Sequence, residues 1–275
     1  MREESKLDFL LSARVSVRYD EKPPVLRDVE LGIWRGEVLG LIGQSGSGKS
    51  TLAMTILGLL DRKKTRVEGS IKFEKCELLK LRERELRALR GRKIALVLQS
   101  PLSSLNPVLK IRTQLKEAWR AHASGPADDC DTAICAALEN VSLPSNDDFL
   151  RKYPSQMSVG QAQRVLIAMA VMHHPALLIA DEATSALDVI TQSEILALFR
   201  RLNRTIGMAI LYISHDLPSV AGICDRIAIL HQGEIVESGT TAQVMTSPRH
   251  EYTQRLMAAL PQMARPIAEA KTASL

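Results

Sequence analysis

Aromatic residues, cysteines and long apolar runs are all scarce in this chain of 275 residues. Aromatic side chains make up only 4% of the sequence, too few for the interleaved aromatic and basic surface that binds single-stranded nucleic acids. The four cysteines lack the spacing of a metal site or of a disulfide framework, which predicts reduced thiols. No apolar run approaches the roughly 18–20 residues that a membrane-spanning helix needs. These shortages favour a water-soluble chain in a reducing compartment.

The chain otherwise has an ordinary globular composition, with 45% hydrophobic and 24% charged residues. This balance excludes collagen-like and intrinsically disordered classes. The first eight residues carry charges of both signs, which is not typical of a signal peptide. The net charge of +5 allows an anionic neighbour, but it is too small to indicate one.

Strand-like and helix-like segments alternate along most of the chain, which predicts an α/β fold. Strands are predicted at 14–19, 25–33, 37–42, 70–73, 93–98, 176–180 and 208–214, with a hairpin at 226–231 and 234–236. Helices are predicted at 49–60, 112–122, 131–141 and 189–206, and Gly69 is assigned to a turn. Because 100–175 is mainly helical in pattern, we predict a helical insert there. The α/β core would then comprise 1–99 and 176–246, before a short tail over 247–275 with an amphipathic stretch at 252–260.

A glycine-rich segment between a predicted strand and a predicted helix matches the phosphate-binding pattern G-x-x-x-x-G-K-S. Glycines allow backbone N–H groups to wrap around phosphate oxygens, and the following helix adds its positive N-terminal dipole. The positive charge of Lys49 would attract the β- and γ-phosphates, and the Ser50 hydroxyl would bind Mg²⁺. The predicted ATP-binding residues of this loop are Gly43, Ser45, Gly46, Ser47, Gly48, Lys49, Ser50 and Thr51. A flexible glycine turn without a ligand is the alternative.

Two acidic residues follow a run of four apolar residues and lie 132 and 133 residues after Lys49. This run predicts that Asp181 stands at the carboxyl end of a buried strand, where α/β sheets bind ligands. Asp181 would hold Mg²⁺ through water, and Glu182 would act as the general base on the attacking water. The alternative is that the acidic pair caps the start of a helix.

With these motifs the chain resembles the ATP-binding subunits of ABC transporters over essentially its whole length. The resemblance implies a P-loop NTPase core, with a mixed sheet flanked by helices and N-terminal antiparallel strands, and the cofactors ATP and Mg²⁺. It also implies roles for four further positions. Tyr19 would stack on adenine, Gln99 would sense Mg²⁺ and the γ-phosphate, Asp188 would belong to the loop after the second acid, and His215 would contact the γ-phosphate.

The signature segment of that family, usually Leu-Ser-Gly-Gly-Gln, corresponds here to residues 157–161. The family pairs two such chains head to tail, so Ser158, Val159, Gly160 and Gln161 would face the ATP of a partner chain. Val159 replaces a glycine and would narrow the allowed backbone angles where the chain approaches the ligand. We therefore expect an asymmetric pair with one slower site; a tolerated substitution without consequence is the alternative.

Three segments, 99–107, 187–192 and 248–261, resemble the importers of oligopeptides, dipeptides and nickel. That branch implies ATP hydrolysis coupled to uptake of peptides or a related solute such as nickel or glutathione. The implied partners are two transmembrane permease subunits, a second ABC ATPase subunit (a heterodimer is favoured) and, indirectly, an extracytoplasmic solute-binding protein. The chain would lie peripherally on the cytoplasmic face of the cell membrane and would not bind nucleic acid.

Two other functions and two local interpretations stay open at this stage. The chain could be a soluble ABC-type ATPase that acts on nucleic acid or ribosomes, or a regulatory protein that binds ATP without turnover. Leu115 and Trp119 share a helical face and could belong to the core or to a permease contact, with the core favoured. The cation-rich run 82–93 is expected to be a solvated helix face, with attraction to lipid headgroups as the alternative.

Overall fold

The computed structural model describes residues 9–123 and 129–259 of the chain. A six-stranded sheet lies at its centre, and five of its strands are parallel. In spatial order these strands are β10 (Glu234–Thr240), β9 (Arg226–His231), β3 (Val38–Ile42), β8 (Ala209–Ser214), β7 (Leu177–Asp181) and β6 (Ile94–Val97). The three strands β3, β8 and β7 are buried along their whole length, as expected for parallel strands covered on both faces.

A second, antiparallel sheet is formed mainly by the N-terminal part of the chain. Its order is β2 (Leu26–Ile33), β1 (Leu11–Tyr19), β4 (Thr65–Phe73) and β5 (Cys76–Glu77). The predicted turn at Gly69 is wrong, because this residue lies inside β4 opposite Val15. Its φ of +114° and the close approach of the Arg14 carbonyl, 2.0 Å from where a Cβ would stand, explain why glycine is needed in mid-strand.

Eleven α-helices accompany the two sheets in the described residues. They are α1 (Lys49–Ile56), α2 (Glu83–Leu89), α3 (Pro101–Ser104), α4 (Ile111–Arg120), α5 (Asp129–Asn140), α6 (Asp147–Leu150), α7 (Val159–Val171), α8 (Val189–Ile206), α9 (Leu217–Ile223), α10 (Thr241–Thr246) and α11 (Glu251–Ala258). Short 3₁₀ turns occur at Leu78–Lys80 and Pro154–Gln156. Helices α3 to α7 lie between β6 and β7 in the chain, and α3, α4 and α5 all pack on α7. No helix in 9–123 or 129–259 is both long and apolar enough to cross a membrane.

Helix α1 is shorter than the predicted 49–60. Gly58 adopts a left-handed backbone with a φ of +61°, which ends the helix. The Arg90 guanidinium then donates hydrogen bonds to the carbonyls of Leu57 (2.7 Å) and Gly58 (2.8 Å), which the helix leaves without partners. The predicted stretch 252–260 corresponds to α11, and its last residue falls outside the described residues.

The central sheet separates two hydrophobic cores. Because side chains alternate along a strand, Val38 and Ile42 of β3 enter the core on the side of α7, whereas Leu39 and Leu41 enter the core that contains α1. Leu115 and Trp119 are buried in the first core, which confirms their assignment to the interior. In α2 only Leu86 is buried, so the cation-rich run is a solvated helix face as predicted. All four cysteines are within the described residues and are free.

Candidate functional site

The predicted phosphate loop joins β3 to α1 at the carboxyl edge of the central sheet. Two of its glycines are required by the fold. A Cβ on Gly43 would stand 2.2 Å from the Leu230 carbonyl oxygen, and Gly48 precedes α1 with a φ of +108° and would place a Cβ 2.5 Å from Leu26. The loop is therefore tightly packed on β9 and β2, with the start of α1 directed into the site.

Lys49, the first residue of α1, is only 5% exposed. Its ammonium group donates hydrogen bonds to the carbonyls of Gly43 (2.8 Å) and Gln44 (2.9 Å). Burial lowers the pKa of Lys49, while the charges of Glu182 and Asp181 oppose that shift. The loop thus holds a desolvated cation close to the place where the motif predicts phosphate.

Asp181 ends β7 and is 6% exposed, as the apolar run before it predicts. Its Oδ1 atom is buried and has no hydrogen-bond partner among the described residues. Burial raises the pKa of Asp181; the Ser50 hydroxyl and Lys49 oppose this rise, and the neighbouring Glu182 charge adds to it. A buried carboxylate oxygen without a partner, close to a hydroxyl group, is suited to a hard cation such as Mg²⁺.

Glu182 has a left-handed backbone with a φ of +49°, which is uncommon for a residue with a side chain. Its backbone N–H donates to the carbonyl of Ile213 on β8 at 2.9 Å, which keeps the residue against the sheet. The Glu182 Oε1 atom lies 3.9 Å from the Lys49 Nζ atom and 3.4 Å from the Nδ1 atom of His215. Backbone strain of this kind is concentrated at functional sites, where surrounding contacts maintain it.

The alternative interpretation of the acidic pair as a helix cap is wrong. The next helix, α8, is capped by Asp188, whose carboxylate accepts hydrogen bonds from the backbone N–H groups of Ile190 (3.1 Å) and Thr191 (3.0 Å). The Thr191 hydroxyl also donates a hydrogen bond to Asp188. The hydrogen bonds from Thr191 lower the pKa of the Asp188 carboxyl. Asp181 and Glu182 are therefore left free to face the cavity.

An open cavity of about 420 Å³ brings most of the predicted site residues together. Its lining residues are Tyr19, Val25, Ser45, Gly46, Gly48, Lys49, Ser50, Thr51, Gln99, Asp181 and Glu182. His215 does not line it but reaches Glu182 from the edge, with 56% of its side chain exposed. Val25 also lines the cavity, but the sequence does not predict a binding role for it, because an apolar residue at the start of a predicted strand indicates only core packing.

None of the four signature residues lines this cavity. Ser158 caps α7, its hydroxyl accepting a hydrogen bond from the Gln161 backbone at 3.2 Å, while the Gln161 side chain accepts one from the Ser158 backbone at 3.3 Å. Val159 is the first residue of α7; its side chain is 37% exposed and its φ is not positive. The narrower backbone angles of valine therefore cause no strain within this chain, because the first residue of the helix needs no glycine.

The comparisons with known proteins agree with this geometry. The family model described as "ABC transporter" matches residues 26–185. The chain belongs to the ABC transporter family. Within that family the chain is 38% identical to the glutathione import ATP-binding protein GsiA of Escherichia coli K12 over 254 residues, which covers 88% of this chain and 40% of GsiA. The chain thus spans about two fifths of the length of GsiA.

A second relative has a length closer to that of this chain. The oligopeptide transport ATP-binding protein OppD of Lactococcus lactis subsp. cremoris is 37% identical over 234 residues, covering 85% of this chain and 69% of OppD. Both relatives are named for import, so the resemblance to the importer branch is confirmed.

Solved structures confirm the α/β fold class. CbiO1 from Clostridium perfringens, described as part of the ABC transporter complex cbiONQ, matches with a TM-score of 0.76 and 25% identity, covering 94% of this chain and 98% of its own. The dimeric ATP-binding cassette MJ0796, in a post-hydrolysis state with ADP and Pi, matches with a TM-score of 0.72 and 27% identity, covering 84% and 98%.

Proposed function

We propose that this chain is the ATP-hydrolysing subunit of an ABC importer for peptides or a related solute such as glutathione or nickel. One observation carries the proposal: Lys49, Asp181 and Glu182 converge on a single cavity at the carboxyl edge of the parallel strands. A buried lysine, a buried carboxylate with one oxygen that has no partner among the described residues, and a second, better solvated carboxylate form a set suited to phosphoryl transfer to water. The names of GsiA and OppD support import as the process that this reaction drives.

ATP would bind with its adenine on Tyr19 and its phosphates in the loop before α1. The Lys49 ammonium group, which now hydrogen-bonds to two loop carbonyls, would exchange those bonds for β- and γ-phosphate oxygens. Backbone N–H groups of Gly46 and Gly48 and the dipole of α1 would add further stabilisation of negative charge. Such close contacts would explain why five of the six residues 43–48 are glycine or serine.

Glu182 would act as the general base. It would accept a proton from a water molecule as the water oxygen forms a bond to the γ-phosphorus and the bond between that phosphorus and the leaving ADP oxygen breaks. His215, 3.4 Å from the Glu182 carboxylate, would help to orient it and would contact the γ-phosphate. Ser50, Gln99 and Asp181 would hold Mg²⁺, which when bound supplies positive charge to the phosphate oxygens.

A second ABC ATPase subunit is the partner that the signature segment implies, with a heterodimer favoured over a homodimer. Ser158, Val159, Gly160 and Gln161 would face the ATP of that partner, so Val159 would affect the partner's site and not the site of Lys49. The exposed Val189 and Ile190, next to Asp188, offer an apolar surface for such a contact. The expected result is an asymmetric pair with one slower site.

Two permease subunits would carry the solute, and this chain would attach to them on the cytoplasmic face of the cell membrane. Support comes from a largely apolar groove of about 240 Å³ between β6 and α7, which the exposed Leu98 helps to line, and from the exposed Leu102 in the following helix α3. In this proposal 1–99 and 176–246 bind ATP, whereas 100–175 carries the signature and the permease contacts. An extracytoplasmic solute-binding protein would deliver the solute from the other side.

The test is hydrolysis by the assembled complex with the substitution Glu182→Gln. ATP binding should be retained, while the hydrolysis rate should fall about 10²–10⁴-fold, the usual contribution of a general base. Glu139→Gln, an exposed residue of α5, is the matched control and should hydrolyse ATP like the wild type. Equal rates for Glu182→Gln and the wild type would refute the assigned base.

The partners are tested by purifying the chain from its native membranes in mild detergent and identifying the proteins that co-purify. Two multi-span proteins and a second ATPase would support the importer. A soluble complex without a membrane protein would refute the transporter role and favour the alternative of an ATPase acting on nucleic acid or ribosomes.

A further inference from the structure

Helix α11, in the C-terminal segment, packs close to the phosphate loop. Tyr252 on this helix is only 9% exposed, and its ring stacks on the ring of His231 with centroids 3.7 Å apart and planes 22° from parallel. His231 is the last residue of β9, the strand that pairs with β3 in the central sheet. Since β3 leads directly into the phosphate loop, the stacked pair lies beside the start of that loop.

Tight contacts connect the end of β9 to the loop. The Leu230 carbonyl oxygen, one residue before His231, lies 2.2 Å from where a Cβ on Gly43 would stand, so the two backbones are in close contact. The Gly43 carbonyl in turn accepts a hydrogen bond from the Lys49 ammonium group at 2.8 Å. A continuous series of contacts therefore runs from Tyr252 through His231, Leu230 and Gly43 to Lys49.

The Tyr252 phenol also faces the loop. Burial raises the pKa of this phenol, and the backbone of Gln44, which faces the phenol oxygen, opposes the rise. The Tyr252 hydroxyl has no hydrogen bond of normal geometry to the described residues. Tyr252 therefore contacts this part of the chain mainly through the stacking of its ring on His231. Gln44 is the other residue whose carbonyl holds Lys49, at 2.9 Å.

The start of α11 is fixed independently of the phosphate loop. The Glu237 carboxylate on β10 accepts hydrogen bonds from the backbone N–H groups of Arg249 (2.8 Å) and His250 (3.0 Å). The Nδ1 atom of His250 then caps the helix by accepting a hydrogen bond from the Tyr252 backbone at 3.1 Å. Because these anchors belong to β10 and to the helix itself, the placement of Tyr252 does not depend on the phosphate loop.

We propose that Tyr252 is a positioning residue for the phosphate loop: its ring braces His231 and the end of β9, against which Gly43 packs, and thereby fixes the carbonyls that place Lys49. This proposal rests on the function proposed above, since only there does the position of Lys49 matter for a reaction. Tyr252 would touch neither ATP nor the attacking water. Its loss should act through the loop, and a misplacement of about 1 Å can reduce a rate by about a hundredfold.

The experiment compares the full chain carrying Tyr252→Ala, Tyr252→Phe and the control Arg255→Ala, which removes an exposed side chain from the same helix. Hydrogen exchange of amides 43–50 is measured without nucleotide. Binding of a fluorescent ATP analogue with Mg²⁺ and hydrolysis in the assembled complex are measured separately. We expect Tyr252→Ala to speed exchange of the loop at least about tenfold and to reduce hydrolysis about ten- to a hundredfold. Phenylalanine, which keeps the ring, should restore both readouts to near wild-type values, and the control should change neither.

Two results would overturn the proposal. One is faster exchange over 251–258 with unchanged exchange over 43–50, because the helix would then be packed beside the loop without supporting it. The other is a Phe variant as defective as the Ala variant, because ring stacking would then not be the cause. If Tyr252→Ala fails to fold, His231→Ala removes the same stacking from the strand side and decides instead. A wild type that neither binds nor hydrolyses ATP would refute the proposed function, whereas the exchange comparison would still decide whether Tyr252 braces the loop.

Discussion

Replacing Asp181 by asparagine should make the chain more stable in the absence of ligands. The carboxylate is buried, one of its oxygens has no hydrogen-bond partner, and burial raises its pKa in spite of Lys49 and Ser50. A raised pKa means that the surroundings of Asp181 in the folded chain, taken together, make its charged form less favourable than it is in the unfolded chain. Asn keeps the shape of Asp but removes the charge, so it removes this penalty.

The magnitude is the difference between burying a charged and a neutral side chain of the same shape, on the order of 1–3 kcal/mol, because Asn leaves a polar atom in the same place but carries no charge. For a chain of this length, such a gain corresponds to a rise in Tm of roughly 2–5 °C. The pH dependence is set by the direction of the shift. The penalty on the wild type is complete above the raised pKa of Asp181, declines as the pH falls through it, and is lost below the ordinary value of 3.8. The two proteins should therefore have equal stability in strong acid.

Thermal and urea unfolding at neutral pH, without nucleotide or metal, measure this difference. Asp188→Asn is the matched control with the opposite sign, because hydrogen bonds with Thr191 lower the pKa of Asp188 and stabilise its charged form. It should lose a little stability, and the loss should disappear as the pH falls through the lowered pKa. With Mg²⁺ and ATP at a hundred times the Kd, the wild type should gain about 2.7 kcal/mol. The Asp181 variant should gain clearly less, because it lacks a proposed metal-binding carboxylate.

The reasoning would be refuted if Asp181→Asn were less stable than the wild type at neutral pH without ligands. Such a result would mean that the attraction between the carboxylate and its cationic neighbour outweighs desolvation. The site would then be preformed as an ion pair, and a metal would have to compete with Lys49 for Asp181.

Two further predictions concern the removal of a glycine at one position and its introduction at another. Gly69→Ala should reduce the free energy of unfolding by about 2–4 kcal/mol. The reason is that the new Cβ would stand 2.0 Å from the Arg14 carbonyl oxygen, on a backbone whose φ is +114°. Gly222→Ala is the control, because a Cβ at that position meets nothing within 4 Å. Equal Tm values for the two variants would contradict the strain at Gly69. Val159→Gly should raise the ATPase rate of the assembled complex by relieving the slower site, and an unchanged rate would identify Val159 as a neutral substitution.

The phosphate loop and the acidic pair could be predicted because each is a short local pattern whose chemistry depends on residue type and on the end of one strand. Sequence alone offers no means to predict distances between segments, such as the 3.4 Å between Glu182 and His215. It also could not predict that Glu182 has a left-handed backbone, because the hydrogen bond to Ile213 that maintains it comes from another strand. The roles assigned to these residues stay predictions.

Local signals failed where tertiary contacts outweighed them. Gly69 is typical of a turn, but residues 65–68 before it, three of which are polar, pair with 16–19 of β1 and extend β4 through it. The helix after the phosphate loop stops early at the left-handed Gly58, and Arg90, distant in sequence, satisfies the carbonyls of Leu57 and Gly58 at this end. The tail motif around Tyr252 suggested only a family branch, since its contact with His231 exists only in the folded chain.

The division of the interior into two cores has an evolutionary consequence. Leu52 and Ile56, which support the helix after the phosphate loop, pack on one side of the central sheet, whereas Leu115 and Val165 of the mainly helical segment pack on the other. Substitutions distant from each other generally have independent effects on stability. In the proposed importer, the helical side can therefore change its sequence to fit a new membrane partner while the side that would bind the nucleotide stays constant. A duplicated gene could in this way come to serve a different solute without changing the residues that support the phosphate loop.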